Sequence, residues 1–244
     1  MKRLVALILF LLLLPEASYS RALIADVNPR QIDIDQSFKG ANLLVYGARE
    51  DAGNIVIVVR GPKERQILRK KGRIFGVWTN VQNIRLKDVY SFYSVASMKP
   101  LTSVQNEDLL KKLQIGEDNI YIYGKDKLGL MEEGEIRDSA IKLMQSKGLY
   151  STEDSKISFW GENLFRSFIK FPKNISKGLY NLDVYLFNDG NLKFYQTMPV
   201  LVDKVGVEAF ISDMALKRPL LYGLISVFMA LSIGLLVGTV FSKR

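Results

Sequence analysis

Residues 178–202 read GLYNLDVYLFNDGNLKFYQTMPVLV, and this segment indicates the fold class of the chain. Its centre, Asn188-Asp189-Gly190-Asn191, is the strongest short-range hairpin signal in the sequence, because Asp and Gly tolerate the positive φ angles of a tight hairpin turn. The residues on both sides are rich in the aromatic and branched aliphatic side chains that favour strands. The segment therefore predicts a β-hairpin.

Upstream segments also read as short strands separated by turns. Residues 55–59 form an uninterrupted β-branched run, typical of a strand covered on both faces, and Gly61-Pro62 ends it because proline cannot donate to a ladder. Residues 26–48 read as two strands. Further strands are predicted at residues 74–78, 92–96, 120–123, 156–160 and 166–171, with a turn at 80–83. The aromatic residues expected in the core are Trp78, Phe159, Trp160, Phe165 and Phe171.

Residues 103–148 break this strand pattern and predict two helices. The first lies within 103–113, with Asn106 as its N-cap. The second covers 132–147, with apolar residues at spacings of three and four, and Gly148 stands where a C′ glycine belongs. The fold prediction is therefore mainly β with an α insertion: an immunoglobulin-like β-sandwich in which about 103–148 is an insertion or a second lobe.

The N-terminus resembles a secretory signal peptide. Lys2 and Arg3 precede eleven apolar residues, 4–14, which as a helix cover only about half of a bilayer core. Small residues follow at Ser18, Ser20 and Ala22, so residues 1–20 are predicted to be a signal with cleavage after 20 or 22. The alternative is an uncleaved second anchor.

A second apolar segment, residues 220–241, is predicted to cross the membrane. It contains no charged residue and as a helix is about 33 Å long, enough for a hydrocarbon core of roughly 30 Å. The predicted layout is a periplasmic domain over 21–205, a juxtamembrane segment over 206–219 and a cytoplasmic tail over 242–244. We therefore expect a single-pass protein of the cell inner membrane.

Small residues recur every four positions along this helix, at Ser226, Ala230, Gly234 and Gly238. Four-residue spacing places them on one stripe, where another helix can approach closely. The sequence therefore predicts a helix partner, another integral membrane protein. The alternative is that small residues are simply common in membrane helices.

A basic segment precedes the middle of the chain. Its six cations, with Glu64 as the one acid among them, are Lys63, Arg65, Arg69, Lys70, Lys71 and Arg73. They are predicted to contact an anion or anionic lipid headgroups. The alternative is a solvated hairpin or loop. Nucleic acid is not an expected partner, because the chain is exported and no stacking aromatic residue is interleaved there.

The sequence contains neither cysteine nor histidine. Thiolate nucleophiles, Ser-His-Asp triads and histidine-bearing zinc sites are therefore excluded. We expect no catalytic residue, cofactor or metal, and predict a non-enzymatic accessory protein. Two alternatives remain: an enzyme acting on envelope polymer through a carboxylate pair or Ser-Lys chemistry, and a lipid-binding or structural module of the envelope.

Motifs spread along the whole chain resemble one alpha-proteobacterial family of single-pass transmembrane proteins. They include Asn28-Pro29, Val59-Arg60-Gly61-Pro62, Ser91-Phe92-Tyr93-Ser94, Gly148-Leu149-Tyr150, Tyr185-Leu186-Phe187 and Pro219-Leu220-Leu221-Tyr222-Gly223. The resemblance implies a signal-plus-anchor layout and no assigned activity or active site. Membership would further imply an auxiliary role beside inner-membrane anion permeases of the sulfite-exporter type. That expectation comes from the family and not from the residues quoted above.

Overall fold

The computed structural model describes residues 23–125, 131–151 and 156–241. The predicted signal segment 1–20, its cleavage positions and the tail 242–244 lie outside the described residues. The described strands are β1 (Leu23–Asn28), β2 (Gln31–Ile34), β3 (Ala41–Arg49), β4 (Asn54–Arg60), β5 (Lys63–Ile74), β6 (Val77–Tyr90), β7 (Tyr93–Ser97), β8 (Tyr123–Lys125), β9 (Tyr150–Ser151), β10 (Ile157–Trp160), β11 (Leu164–Phe171), β12 (Gly178–Asn188) and β13 (Asn191–Lys204). The described α-helices are α1 (Glu107–Leu113), α2 (Glu133–Ser146), α3 (Val207–Lys217) and α4 (Pro219–Phe241).

The strands form three sheets, so the chain is mainly β, with a few helices, as predicted. Sheet A has the order β1-β3-β11-β10, sheet B the order β2-β13-β12-β4-β7-β9, and sheet C the order β5-β6-β8. Neighbouring strands are antiparallel except for the pairs β2–β13 and β7–β9, which are parallel.

Sheets A and B pack on one another around a common apolar core. The side-chain amide of Gln196 on β13 exchanges two hydrogen bonds, of 3.0 and 2.8 Å, with the backbone of Ala25 on β1. At the other end of the sheets, Phe171 of β11 stacks on Phe92, with ring centroids 4.7 Å apart. Every residue of β4 is buried, which confirms the prediction of a strand covered on both faces.

Helix α1 packs on sheet B, and α2 packs on sheet C and on β9 at the edge of sheet B. The Asn106 side chain accepts a hydrogen bond of 3.0 Å from the Leu109 N–H, so it caps α1 as predicted. Gly148 follows α2 with a φ of +68°, which confirms it as the glycine that ends this helix. A Cβ at Gly124 on β8 would meet both Ile136 of α2 and Leu86 of β6, which shows how closely α2 lies on sheet C.

The predicted hairpin at residues 178–202 is confirmed. Strands β12 and β13 pair from Asn188 and Asn191 to Gly178 and Val202, with one register shift at Leu186-Phe187, and the turn between them has φ angles of 48° at Asp189 and 75° at Gly190. These two left-handed residues give the turn the twist that antiparallel strands need.

Three strand predictions were wrong. Residues 74–78 are not one strand, because Phe75 and Gly76 form a turn and β6 then runs straight through the turn predicted at 80–83. Residues 26–48 hold three strands, since the chain leaves sheet A after β1 and adds β2 to sheet B. Of residues 120–123, only Tyr123 lies in a strand.

The predicted membrane helix is present as α4. Among the described residues, Pro219–Gly238 is the one helical segment long and apolar enough to cross a membrane. Helix α4 is therefore a candidate membrane-spanning helix close to the C-terminus.

Candidate functional site

The outward side of sheet A carries an apolar surface. Cross-strand register aligns Ile24 of β1, Ala48 of β3, Leu164 of β11 and Trp160 of β10 in one row. Ile24, Leu164 and Trp160 are 56%, 54% and 78% exposed. These four residues, with Tyr46 and Phe168 in the next two rows, are called the outer face below. A shallow groove of about 400 Å³ lies along it.

This apolar surface is unusual for its position. An antiparallel sheet with one covered side normally presents polar residues to water on the other. In β11 the inward residues are buried, yet the outward positions include Leu164 and Phe168 as well as Arg166 and Lys170. Clustered exposed apolar side chains of this kind mark interaction sites.

Packing on the inner side holds Trp160 outward. Phe159, its neighbour on β10, lies 4.5 Å from the Arg49 guanidinium in a cation–π contact and 6.4 Å from the ring of Phe165. Because strand side chains alternate, fixing Phe159 inward directs Trp160 outward. The expectation that Trp160 fills the core was therefore wrong, whereas Phe165 and Phe171 are buried as predicted. The side chain of Trp78 lies outside what the structure describes.

The predicted basic residues all lie on β5, within a long hairpin formed by β5 and β6. Lys63, Arg65, Arg69 and Arg73 are exposed, and Lys70 and Lys71 lie between them on the strand. The hairpin closes at Phe75 and Gly76, whose φ angles are 48° and 82°. This left-handed conformation costs a non-glycine residue about 1–2 kcal/mol. Phe75 is also fully exposed.

The predicted small-residue stripe lies along α4. Ser226, Ala230, Gly234 and Gly238 are all exposed, and a Cβ added at either glycine would meet nothing within 4 Å. The Ser226 hydroxyl donates to the Tyr222 carbonyl at 2.8 Å. Within the described part of the chain, no other element covers this stripe.

A buried polar cluster, called the clamp below, joins sheet B to α1. Arg60 on β4 pairs with Asp183 on β12, and its other terminal nitrogen donates to the carbonyls of Leu113 and Gln114 at 2.6 and 3.2 Å. The Thr197 hydroxyl donates to Asp183 at 2.6 Å. These bonds satisfy carbonyls that the end of α1 leaves without helical partners.

Two tyrosines complete the clamp. The Tyr93 hydroxyl donates to the Gln114 carbonyl and accepts from the Gly116 N–H, each at 2.8 Å. Burial raises the pKa of Tyr93, and also that of Tyr185, which lies 3.4 Å from Arg60. Burial disfavours the charge on Arg60, but Tyr185, Tyr93 and Asp183 outweigh it, so its pKa is raised. No local sequence pattern indicates the clamp, because its members are far apart along the chain.

A second groove, of about 720 Å³, lies between sheet C and the helices. Its charged lining residues are Arg85, Lys87, Lys111, Asp118, Glu133 and Arg137. Two of these, Asp118 and Glu133, are carboxylates, the residue type that a hydrolase of the carboxylate-pair type uses. In the described residues, no group of three or more Asp or Glu side chains is placed to hold a metal ion.

Comparison with known proteins adds one match. A family model described as "Putative transmembrane protein (Alph_Pro_TM)" matches residues 22–243, which confirms the resemblance stated from the sequence. No curated protein and no solved structure matches the chain.

Proposed function

Because the chain belongs to the Alph_Pro_TM family of transmembrane proteins, we propose that it is a membrane-anchored accessory protein that binds another integral membrane protein. The observation that carries this proposal is the outer face. Its apolar side chains are held outward by a packed sheet, so the surface is present before a partner arrives and little ordering is needed on binding.

The membrane helix is the second contact. The stripe of Ser226, Ala230, Gly234 and Gly238 is the side on which a partner helix can approach most closely. Contact at the outer face and contact in the membrane reinforce one another, since the first raises the local concentration for the second. A narrower version of this proposal is that the protein is an auxiliary subunit of an inner-membrane anion permease. Identification of the captured partner tests this version.

The proposed topology places the β-rich domain in the periplasm and the C-terminus in the cytoplasm. The apolar N-terminal segment, read as a signal peptide, supports this orientation. The flanking charges do not decide it, because Lys217 and Arg218 on the outer side balance Lys243 and Arg244 on the inner side. Protease added to intact spheroplasts should digest the domain. Complete protection of the domain would contradict the topology.

The proposed architecture of that domain is an immunoglobulin-like sandwich. Strands β1, β3, β11 and β10 stand in the order A-B-E-D, while β13, β12, β4 and β7 stand in the order G-F-C-C′. In this assignment the β5–β6 hairpin is an insertion between C and C′, and the segment with α1, β8, α2 and β9 is an insertion between C′ and D.

Affinity capture of the full chain from detergent-solubilised membranes tests the function. The variant Trp160→Asp/Leu164→Asp adds two negative charges to the outer face, and its matched control, Asn42→Asp/Ser158→Asp, adds the same charge at polar outward positions of sheet A. We expect a partner that is captured by the native chain and the control, and lost with the outer-face variant. Gly234→Ile/Gly238→Ile should weaken the same capture. Equal capture by all four chains would refute the proposal.

An enzyme is the second candidate function, favoured by the groove that holds Asp118 and Glu133. If Asp118→Asn/Glu133→Gln abolishes the cellular phenotype of the protein while partner capture is unchanged, catalysis in this groove becomes the better explanation.

A further inference from the structure

The hairpin of β5 and β6 leaves sheet B at the end where β13 finishes and the chain continues to the membrane helix. Strand register places Arg60, the last residue of β4, level with Asn181 and Pro199, near the end of β13 that leads to α3 and α4. The ladder between β4 and β7 continues into the hairpin, since Gly61 N–H donates to the Phe92 carbonyl and Ser91 N–H to the Pro62 carbonyl, both at 2.8 Å. The hairpin thus extends two strands of sheet B beyond the end that faces the membrane helix.

The hairpin is long enough to reach the bilayer. The twelve residues of β5 span about 40 Å. The connection from β13 to α4 holds eleven helical residues and three others, which together extend at most about 30 Å. The distance from this end of sheet B to the bilayer is therefore shorter than the length of the hairpin.

The composition of the hairpin suits an anionic membrane surface. Residues 63–90 contain eight Lys or Arg residues and two acids. At the tip stand Phe75 and Val77, both strongly exposed. Asn or Gly normally occupies the first position of such a left-handed turn, so Phe75 is unfavourable both for the backbone and for contact with water. Contact between the Phe75 ring and something other than this domain explains why an exposed aromatic residue occupies an unfavourable backbone conformation.

Helix α3, which leaves the same edge, has a similar surface. Val207, Phe210 and Ile211 are exposed and share one face with Met214 at helical spacing. A short helix with an aromatic apolar face beside a membrane helix is typical of one lying in the bilayer interface.

We propose that the tip of the β5–β6 hairpin inserts Phe75 into the headgroup region of the bilayer that holds α4, while Arg69 and Arg73 bind the phosphates of anionic phospholipids. The domain is then held to the membrane at two points, the helix and the hairpin tip. The bilayer is favoured over a protein as occupant because the charged residues between Arg65 and Lys87, around the aromatic tip, are all basic, and because the hairpin extends from the end of sheet B that leads to α4.

The test uses the full chain in proteoliposomes, with a polarity-sensitive fluorophore on a single introduced cysteine. The chain has no cysteine of its own, so labelling is specific. Val77→Cys places the label directly after the Phe75-Gly76 turn. Asn191→Cys is the matched control, because it directly follows the Asp189-Gly190 turn, which has the same pair of positive φ angles at the opposite edge of sheet B.

In vesicles of phosphatidylethanolamine and phosphatidylglycerol, we expect the label at 77 to shift to the blue and to be quenched by lipids with a headgroup-level nitroxide. The label at 191 should show neither effect. Arg69→Gln/Arg73→Gln should lower the equilibrium constant for contact by about thirtyfold. Phe75→Asn, which suits the turn better and so preserves the hairpin, should lower it on the order of tenfold.

A label at 77 that behaves like the label at 191 in these vesicles would overturn the proposal. So would contact of equal strength in phosphatidylcholine vesicles, since anionic phosphates would then play no part. A blue shift at position 77 that appears only when a second protein is added would show that the hairpin binds a protein and not lipid. None of these outcomes bears on the outer face, so the two proposals fail independently.

Discussion

Replacing Arg60 by alanine removes the cation at the centre of the clamp. Asp183 would remain buried with Thr197 as its hydrogen-bond donor. The Leu113 carbonyl would lose its Arg60 donor, while the Gln114 carbonyl would keep the Tyr93 hydroxyl. Breaking a buried ion pair on one side costs about 3–5 kcal/mol. That is a large share of the roughly 5–15 kcal/mol by which domains are stable.

The expected effect is a fall in melting temperature of about 6–20 °C, because each kcal/mol shifts a domain of this size by about 2–4 °C. It can be measured on the full chain in detergent by near-ultraviolet circular dichroism. Hydrogen exchange should also show faster exchange in α1, whose C-terminal carbonyls Arg60 holds. Arg30→Ala is the matched control, since Arg30 forms an exposed ion pair with Asp26 and its loss should leave the melting temperature unchanged within error.

The double variant Arg60→Met/Asp183→Leu separates the two roles of the clamp. Exchanging a buried ion pair for apolar residues of similar size is often neutral, so most of the global stability should return. The Leu113 carbonyl at the end of α1 would still lack its Arg60 donor, so α1 should still exchange faster than in the native chain. Equal melting temperatures for Arg60→Ala and Arg30→Ala would refute this reasoning.

Three further substitutions test the fold. Gly47→Ala should cost about 1–3 kcal/mol in urea unfolding, because the added Cβ would lie 2.7 Å from the Phe165 ring and even closer to a backbone carbonyl. Asn106→Ala removes the side chain that accepts from the Leu109 N–H and should cost about 1 kcal/mol, seen as faster amide exchange confined to the start of α1. Burial raises the pKa of Tyr180 to about 12. The unfolded phenol titrates near 10, so the contribution of Tyr180 to stability should be complete below pH 10 and be lost between pH 10 and 12; Tyr180→Phe should reduce the fall in stability over that range.

Local chemistry explains which elements could be predicted. Some residues favour one local backbone geometry by themselves: Asn106 caps a helix through its side chain, and Gly148 and Gly190 adopt positive φ angles because they have no side chain. The Asp189-Gly190 pair likewise favours a hairpin turn. Phe75 has no such preference. In the sequence Ile-Phe-Gly-Val-Trp it reads as part of a strand, and its left-handed φ is seen only in the structure.

The candidate sites were less predictable, because they depend on pairing between distant strands. The positions of the basic residues and the small-residue stripe follow from spacing along one element. The outer face requires β1, β3, β10 and β11 to be aligned, and the clamp joins residues more than a hundred positions apart. One indication was available: Leu164 and Phe168 alternate with Phe165 and Ile169, so both sides of that strand are apolar.

The continuous ladder from β4 into β5 and from β6 into β7 makes the hairpin a lever whose pivot lies at Gly61-Pro62. With an arm of about 40 Å, a rotation of about 10° at the pivot moves the tip by about 7 Å. Arg60 is the residue directly before that pivot, so its ion pair with Asp183 lies at the base of the arm. In the proposed membrane contact, a displacement of Phe75 would therefore be carried along the β5–β6 ladder to the part of sheet B that holds the clamp.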